Sequence, residues 1–133
     1  MREAPKEYYT WRQFDEDAKK MAAWAKDRNF SGVYGIPRGG LVIAVKLSHL
    51  MNTPLVLSRE DITRRTLIVD DIIDGGGTVR RLMASLGQGF EVASIYFNKA
   101  AVDATPSFFA REKKRWVIFP WETEETSRYD GTV

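Results

Sequence analysis

The segment Thr66-Leu67-Ile68-Val69-Asp70-Asp71-Ile72-Ile73-Asp74-Gly75-Gly76-Gly77-Thr78 constrains the fold more than any other part of this chain. A short β-rich run such as Leu67-Ile68-Val69 reads as a buried parallel strand, and two adjacent carboxylates at its carboxyl end lie where open α/β sheets place their ligands. The glycine loop then opens a helix, presenting backbone N–H groups and the Thr78 hydroxyl, which suits a phosphate. Carboxylates repel phosphate, so Asp70 and Asp71 must face something else. Sugar hydroxyls, with a hydrated Mg²⁺ nearby to offset charge, fit that requirement. The ligand implied is a phosphorylated sugar. The alternative is an ordinary strand-turn-helix whose glycines only allow a tight turn, but turn chemistry alone accounts poorly for three carboxylates beside a glycine loop.

The flanking sequence extends this into a repeating α/β pattern. Thr10-Trp11-Arg12-Gln13 has the form of a capping box, and Phe14, Ala18, Met21, Ala22 and Ala25 recur at helical spacing, which predicts a first helix to about Asp27. Val33 to Ile36 and Pro54 to Leu57 read as strands around an apolar helix from Leu41 to about Met51, and a helix from Thr78 to Leu86 ends at Gly87-Gln88-Gly89. Glu91 to Phe97 and Trp116 to Phe119 read as two further strands joined by a charged loop or hairpin. The fold class expected is α/β: one domain over residues 1–133, with a mostly parallel twisted sheet flanked by helices. The polar residues 122–133 read as a mobile tail or a partner contact.

Composition narrows the function classes. A chain of 133 residues with 44% hydrophobic content suits one globular domain, burying roughly two-thirds of its unfolded surface. The absence of Cys removes disulfides and thiolate metal sites, and His49 is the one histidine, so any metal is expected to be hard and oxygen-bound. A formal net charge of +2 does not argue for nucleic-acid binding. No run approaches the ~20 apolar residues of a membrane span, and Met1 to Glu7 lacks the apolar core of a signal peptide, so no membrane contact and a cytoplasmic location are expected.

The Asp70-Asp71, Asp74 and Gly75-Gly76-Gly77-Thr78 constellation resembles the ribose-phosphate motif of the type I phosphoribosyltransferases. The resemblance covers about Tyr8 to Glu122 and implies that Asp70 and Asp71 hold the ribose hydroxyls, with Mg²⁺ held indirectly through those hydroxyls and water. It implies further that Asp74 meets the imidazole edge of a base, and that Gly75, Gly76, Gly77 and Thr78 hold the 5′-phosphate. Gly75 stands where that family usually has Thr, which removes one hydroxyl from the cradle. Pro37-Arg38-Gly39-Gly40 resembles the family's pyrophosphate loop: Arg38 offers a planar fork of donors, and Gly39 and Gly40 let a phosphate approach the backbone. Read without the resemblance, the tetrapeptide is also compatible with an ordinary loop-to-helix turn.

Trp116-Val117-Ile118-Phe119-Pro120-Trp121-Glu122 resembles the base-binding end of the xanthine, guanine and hypoxanthine branch. There Trp116 would stack on a purine, main chain around Val117 would bond its edge, and Lys99 would meet its exocyclic oxygen. Trp116 as core, Lys99 as a solvated strand end and Trp121 as packing beside Pro120 are the structural alternatives. The implied reaction is Mg²⁺-dependent transfer of the 5-phosphoribosyl group from phosphoribosyl pyrophosphate to a 6-oxopurine in purine salvage, by a homo-oligomer. One departure bears on this: the long hood found in active members between these strands is reduced to Ser58 to Arg65. Arg59, Arg64 and Arg65 are candidates to reach the pyrophosphate from that short connection, or else form a solvated basic loop. The missing hood and Gly75 leave a second function open, a sensor that binds phosphoribosyl pyrophosphate or a nucleotide without turnover.

Overall fold

The computed structural model describes residues 5–75, 77–100 and 105–128. A short strand β1 (Lys6–Tyr8) leads into helix α1 (Trp11–Ala25). The helix begins where the capping box predicts: the Thr10 hydroxyl accepts the Gln13 N–H at 3.1 Å, and the Gln13 side chain accepts the Thr10 N–H at 2.9 Å. Then come β2 (Gly32–Gly35), α2 (Gly39–Leu50), β3 (Leu55–Val56), β4 (Thr66–Ile73), α3 (Gly77–Leu86), β5 (Glu91–Phe97), β6 (Phe108–Glu112) and β7 (Trp116–Ile118).

Five strands form a sheet in the order β3-β2-β4-β5-β6, and every neighbouring pair is parallel. Alternation along β4 divides the core. Leu67 and Val69 pack with Met21, Ile43 and Leu47 of α1 and α2 on one face, while Ile68 packs with Val79 and Leu82 of α3 on the other. From β2 the chain crosses outward to β3, and from β4 it crosses the opposite way to β5. The order therefore reverses between β2 and β4, and the two crossover helices leave on opposite faces. Such a reversal opens a crevice at the carboxyl ends of the two strands. Here β2 stays paired only as far as Gly35 opposite Val69, whereas β4 runs on beside β5 to Ile73 opposite Phe97. Asp70 and Asp71 fall in the stretch of β4 that β2 has already left.

Several expectations are corrected. The acidic pair lies inside β4 rather than past its end, because β5 continues the ladder on the far side. Residues 108–112, expected within a charged loop or hairpin, form β6, and β6 runs parallel to β5, which excludes a hairpin. Its sequence Phe-Phe-Ala-Arg-Glu carries charge at an edge strand, which hides the strand pattern. β7 does not join the main sheet; it pairs with β1, Lys6 opposite Trp116, in a separate two-stranded parallel sheet. A three-residue strand of Lys-Glu-Tyr has no periodicity to announce it.

The small sheet is fastened by a buried polar cluster. Asp17, fully buried on α1, accepts from the Tyr9 hydroxyl and from Arg111 Nε of β6, both at 2.6 Å, and the Tyr96 hydroxyl of β5 bonds Glu7 of β1. Tyr9 meets the rings of Tyr96 and Phe119 edge to face. Segment 116–121 is thereby set against one end of the main sheet.

Candidate active site

The crevice holds a cavity of about 550 Å³ whose floor is β4 from Asp70 to Ile73. One wall is the loop after β2. Its Pro37–Arg38 peptide is cis, and it enters α2 without a side-chain cap. Gly35, Gly39 and Gly40 allow this loop to press on the sheet. A Cβ on Gly40 would lie 2.6 Å from the Val69 carbonyl oxygen, one on Gly35 would lie 2.3 Å from the Gly40 carbonyl oxygen, and one on Gly39 would lie 1.9 Å from Asp71 Oδ2. The Asp71 carboxylate is thus laid directly against the backbone of the 37–40 loop.

Opposite lies the turn into α3. Gly75, Gly77 and Thr78 line the cavity, and Thr78 Oγ1 accepts from Arg81 at 3.4 Å. Gly76 falls outside the described residues. Burial raises the pKa of Asp70, with the Asp71 charge adding to it, and burial likewise raises that of Asp71, although hydrogen bonds offset part of the effect. The Asp71 N–H donates to Asp70 Oδ1 at 2.8 Å. A buried carboxylate at Asp70 and a partly buried one at Asp71, on one floor, make a place where hydroxyl donors or a cation are favoured.

The third wall comes from β7 and the chain after it. Trp116, Val117, Phe119 and Trp121 line it, as do Glu122, Thr123, Thr126 and Ser127. Residues 122–127, expected as a mobile tail or a partner contact, run along the cavity; residues 129–133 lie outside the described ones. The segment is tied by Trp116 Nε1 to Ser127 Oγ at 3.3 Å, and by the Tyr8 hydroxyl to Glu124 at 2.5 Å. Trp121 stacks on Phe119 with ring centroids 4.9 Å apart and also meets the rings of Tyr9 and Phe14. Burial raises the pKa of Glu122, the Phe119 N–H bond at 2.8 Å opposes this, and the charges of Asp71 and Arg38 are felt there too.

Of the residues singled out in the sequence, Arg38, Gly39, Asp70, Asp71, Asp74, Gly75, Gly77, Thr78, Trp116 and Val117 converge on this cavity. Others do not line it. Gly40 is buried between β2 and β4, where it sets the helix rather than meeting the cavity. Arg59 sits in a single 3-10 turn, Arg59–Asp61, on the connection after the edge strand β3. Arg64 and Arg65 bond the carbonyl oxygens of Gln88 and Asn29, at the amino-terminal ends of the strands. That is the wrong end of the sheet, since the connection must return there to start β4. Lys99 points away, toward Glu112 at 3.8 Å and the Phe109 ring.

The lysine at the cavity is Lys113. Its Nζ lies 2.5 Å from Asp74 Oδ2 and 5.3 Å from the centre of the Trp116 ring. Asn98 Nδ2 bonds the other Asp74 oxygen at 2.9 Å. Burial pushes the Asp74 pKa up, but the Lys113 and Asn98 bonds outweigh it and hold the carboxyl below its ordinary value. Lys113 follows an edge strand that the sequence pattern conceals, and only its place three residues before Trp116 hinted at it.

No family model matches the chain. The xanthine-guanine phosphoribosyltransferase of Nitratidesulfovibrio vulgaris strain DP4 is 28% identical, the match covering 86% of this chain and 83% of that one. The solved purine phosphoribosyltransferase of Pyrococcus horikoshii Ot3 superposes with a TM-score of 0.74 at 26% identity, covering 89% of this chain and 95% of that one. The chain is similar to purine phosphoribosyltransferases along most of its length and shares their fold. The Helicobacter pylori xanthine-guanine-hypoxanthine phosphoribosyltransferase shares the fold with a TM-score of 0.78 at 17% identity, over 92% of this chain and 97% of that one. In the phosphoribosyltransferase fold the acidic strand β4, the loop after β2 and the turn into α3 here surround one cavity, with the β7 aromatic wall beside them.

Proposed function

We propose that this protein transfers the 5-phosphoribosyl group from phosphoribosyl pyrophosphate to a 6-oxopurine base, releasing pyrophosphate. The observation that carries the reading is the acidic floor of Asp70 and Asp71 set between two backbone-lined loops, with an aromatic wall alongside. Breaking the bond between the anomeric carbon and the pyrophosphate oxygen builds positive charge on the ribose; forming the bond to a base nitrogen dissipates it, and Asp74, at the cavity, would accept the proton that the imidazole ring gives up. Asp70 and Asp71 would hold the ribose hydroxyls and stabilise that charge. Gly75, Gly76, Gly77 and Thr78 would hold the 5′-phosphate at the start of α3. Arg38 and the N–H of Gly39 would hold the pyrophosphate at the start of α2. Trp116 would stack on the purine, with the main chain near Val117 at its edge.

The donor set suits Mg²⁺. Asp70 is buried and Asp71 partly so, and among the described residues no group of three or more acidic or histidine side chains converges, so the carboxylates would hold the ion indirectly, through ribose hydroxyls and water. When bound, Mg²⁺ would neutralise pyrophosphate charge as it leaves. A role in purine salvage, a place in the cytoplasm and a homo-oligomer belong to the same proposal. No helix among the described residues is long and apolar enough to cross a membrane.

The test is pyrophosphate release from phosphoribosyl pyrophosphate and Mg²⁺ with guanine, xanthine, hypoxanthine, adenine or no base, using Asp70→Asn/Asp71→Asn as the blank. Release that requires an oxopurine and vanishes in the blank supports the transferase. Binding of phosphoribosyl pyrophosphate with no release from any base would replace it with the sensor.

A further inference from the structure

The middle of the sheet holds a polar side chain that the proposed mechanism does not use. Ser94, on β5, is fully buried, and its hydroxyl has no hydrogen-bond partner among the described residues. A hydroxyl sealed from water without an acceptor destabilises a fold. Helical serines here escape that cost: Ser48 and Ser85 each donate to the carbonyl three residues earlier, at 2.7 Å. An extended strand turns its carbonyls into the ladder instead, so Ser94 depends on side chains across the sheet.

Those neighbours are fixed by register. Ser94 lies opposite Asp70 of β4 on one side and Phe109 of β6 on the other. Facing partners of a ladder point to the same side of the sheet. Here that is the side of α3, because Ile68 and Val92, the pair two residues earlier, both pack with Val79 and Leu82. Phe109 offers no acceptor, whereas Asp70 offers a carboxylate on the floor of the proposed site. The flanking Val92, Ala93 and Ile95 are apolar, so packing alone gives no reason for a hydroxyl at this position.

Asp70 Oδ1 takes the Asp71 N–H at 2.8 Å. A second donor, from the neighbouring strand, would fix the plane of the carboxylate and leave its remaining lone pairs facing a ribose. A hydroxyl proton rotates to suit its acceptor, so Ser94 can meet the carboxylate as sugar hydroxyls draw it into place. We propose that Ser94 is a positioning residue for Asp70, its hydroxyl donating to the carboxylate once ribose hydroxyls are bound. The inference rests on the proposed transferase site and adds a residue beneath the cavity, which Ser94 does not line.

Ser94→Thr and Ser94→Val have nearly the same shape and only the first keeps the hydroxyl, so their difference separates hydrogen bonding from packing. Ser94→Ala against wild type repeats the comparison without added volume. The experiment measures kcat/KM for phosphoribosyl pyrophosphate, thermal midpoints of the empty protein, and the affinities of guanosine monophosphate and its 2′,3′-dideoxy analogue by tryptophan fluorescence. Loss of one hydrogen bond to a charged group predicts a kcat/KM ~10- to 100-fold lower for Ser94→Val than for Ser94→Thr. The preference for the ribonucleotide over the dideoxy analogue should fall by a similar factor, while the analogue itself binds both variants alike. Ser94→Val should melt no lower than Ser94→Thr, since in the empty protein it loses only an unpartnered hydroxyl. Equal kcat/KM in the two variants, an equal ribonucleotide preference, or activity lost in step with stability overturns the inference and leaves the transferase reading standing. Were wild type to turn over no base, that reading would fail separately: a ribonucleotide preference that Ser94→Thr keeps and Ser94→Val loses would still support the assignment, and a preference equal in both would refute it.

Discussion

Gly39 and Gly40 are adjacent, yet the structure separates what each does. Alanine at Gly39 would place its Cβ 1.9 Å from Asp71 Oδ2, less than 2 Å from the end of a side chain that can rotate away. Alanine at Gly40 would place its Cβ 2.6 Å from the Val69 carbonyl oxygen and 3.3 Å from the Asp70 Cα, both backbone atoms in the central strand. Gly39→Ala should therefore change stability little: alanine in the first turn of α2 gains ~0.5–1 kcal/mol over glycine, against the cost of moving one carboxylate. Activity should suffer much more, since displacing a charge-stabilising carboxylate by about 1 Å can lower the rate ~100-fold. Gly40→Ala should cost ~1–3 kcal/mol of overpacking, because neither Val69 nor the helix can yield alone. For a chain of this length that corresponds to a thermal midpoint lower by roughly 3–12 °C. Paired thermal melts and pyrophosphate-release assays on the two variants measure both quantities. A Gly39→Ala enzyme of full activity would refute the claim that Asp71 must lie against the loop, and an unshifted midpoint in Gly40→Ala would refute the packing account.

Asp70→Asn tests the acidic floor through pH. Burial and the Asp71 charge raise the Asp70 pKa on folding, so its stabilising contribution is complete below the ordinary value of 3.8 and is lost as pH rises through the raised one. Melts without Mg²⁺ or substrate should find Asp70→Asn more stable than wild type at pH 7, with the gap closing as the pH falls toward the ordinary carboxylate range. A gap that does not close with acid would point to packing instead. Asp17→Ala, which strips Arg111 and the Tyr9 hydroxyl of their buried acceptor, should cost ~3 kcal/mol in denaturant unfolding. Gly75→Thr should be tolerated, since a Cβ there meets nothing within 4 Å, and should lower the KM for phosphoribosyl pyrophosphate by restoring a hydroxyl; an unchanged KM would show that backbone amides carry the phosphate alone.

The parts of the site legible in the sequence are those encoded locally. Asp70, Asp71, Gly75 and Thr78 follow one another within a strand and its turn, and Arg38 and Gly39 open a helix, so spacing alone places them on the same kind of structure. The helix start at Thr10 is legible for the same reason, its two reciprocal bonds spanning only three residues. What escaped depends on pairings distant in sequence. β1 is strand only because β7, over a hundred residues away, lies alongside it. β6 carries Arg111 because Asp17 of α1 neutralises it, which no local pattern can reveal. Lys99 and Lys113 both follow strands and look alike in sequence; only the sheet shows that Lys113 faces the crevice.

The short connection between β3 and β4 takes on a different meaning beside the 116–128 segment. A reacting ribose must be shielded from water, and a chain of residues 57–65 that spends its length returning to the start of β4 cannot also cover the opposite end of the sheet. The segment after β7 is already there, with Glu122, Thr123, Thr126 and Ser127 along the cavity and ties to Trp116 and Tyr8. Those ties are exposed, and exposed hydrogen bonds are weak enough to open and close on the timescale of turnover. Cover from this side predicts that Tyr8→Phe, which removes the Glu124 bond far from the reacting atoms, should raise pyrophosphate release in the absence of base relative to release with base. A ratio equal to that of wild type would mean that the segment walls the cavity without sealing it.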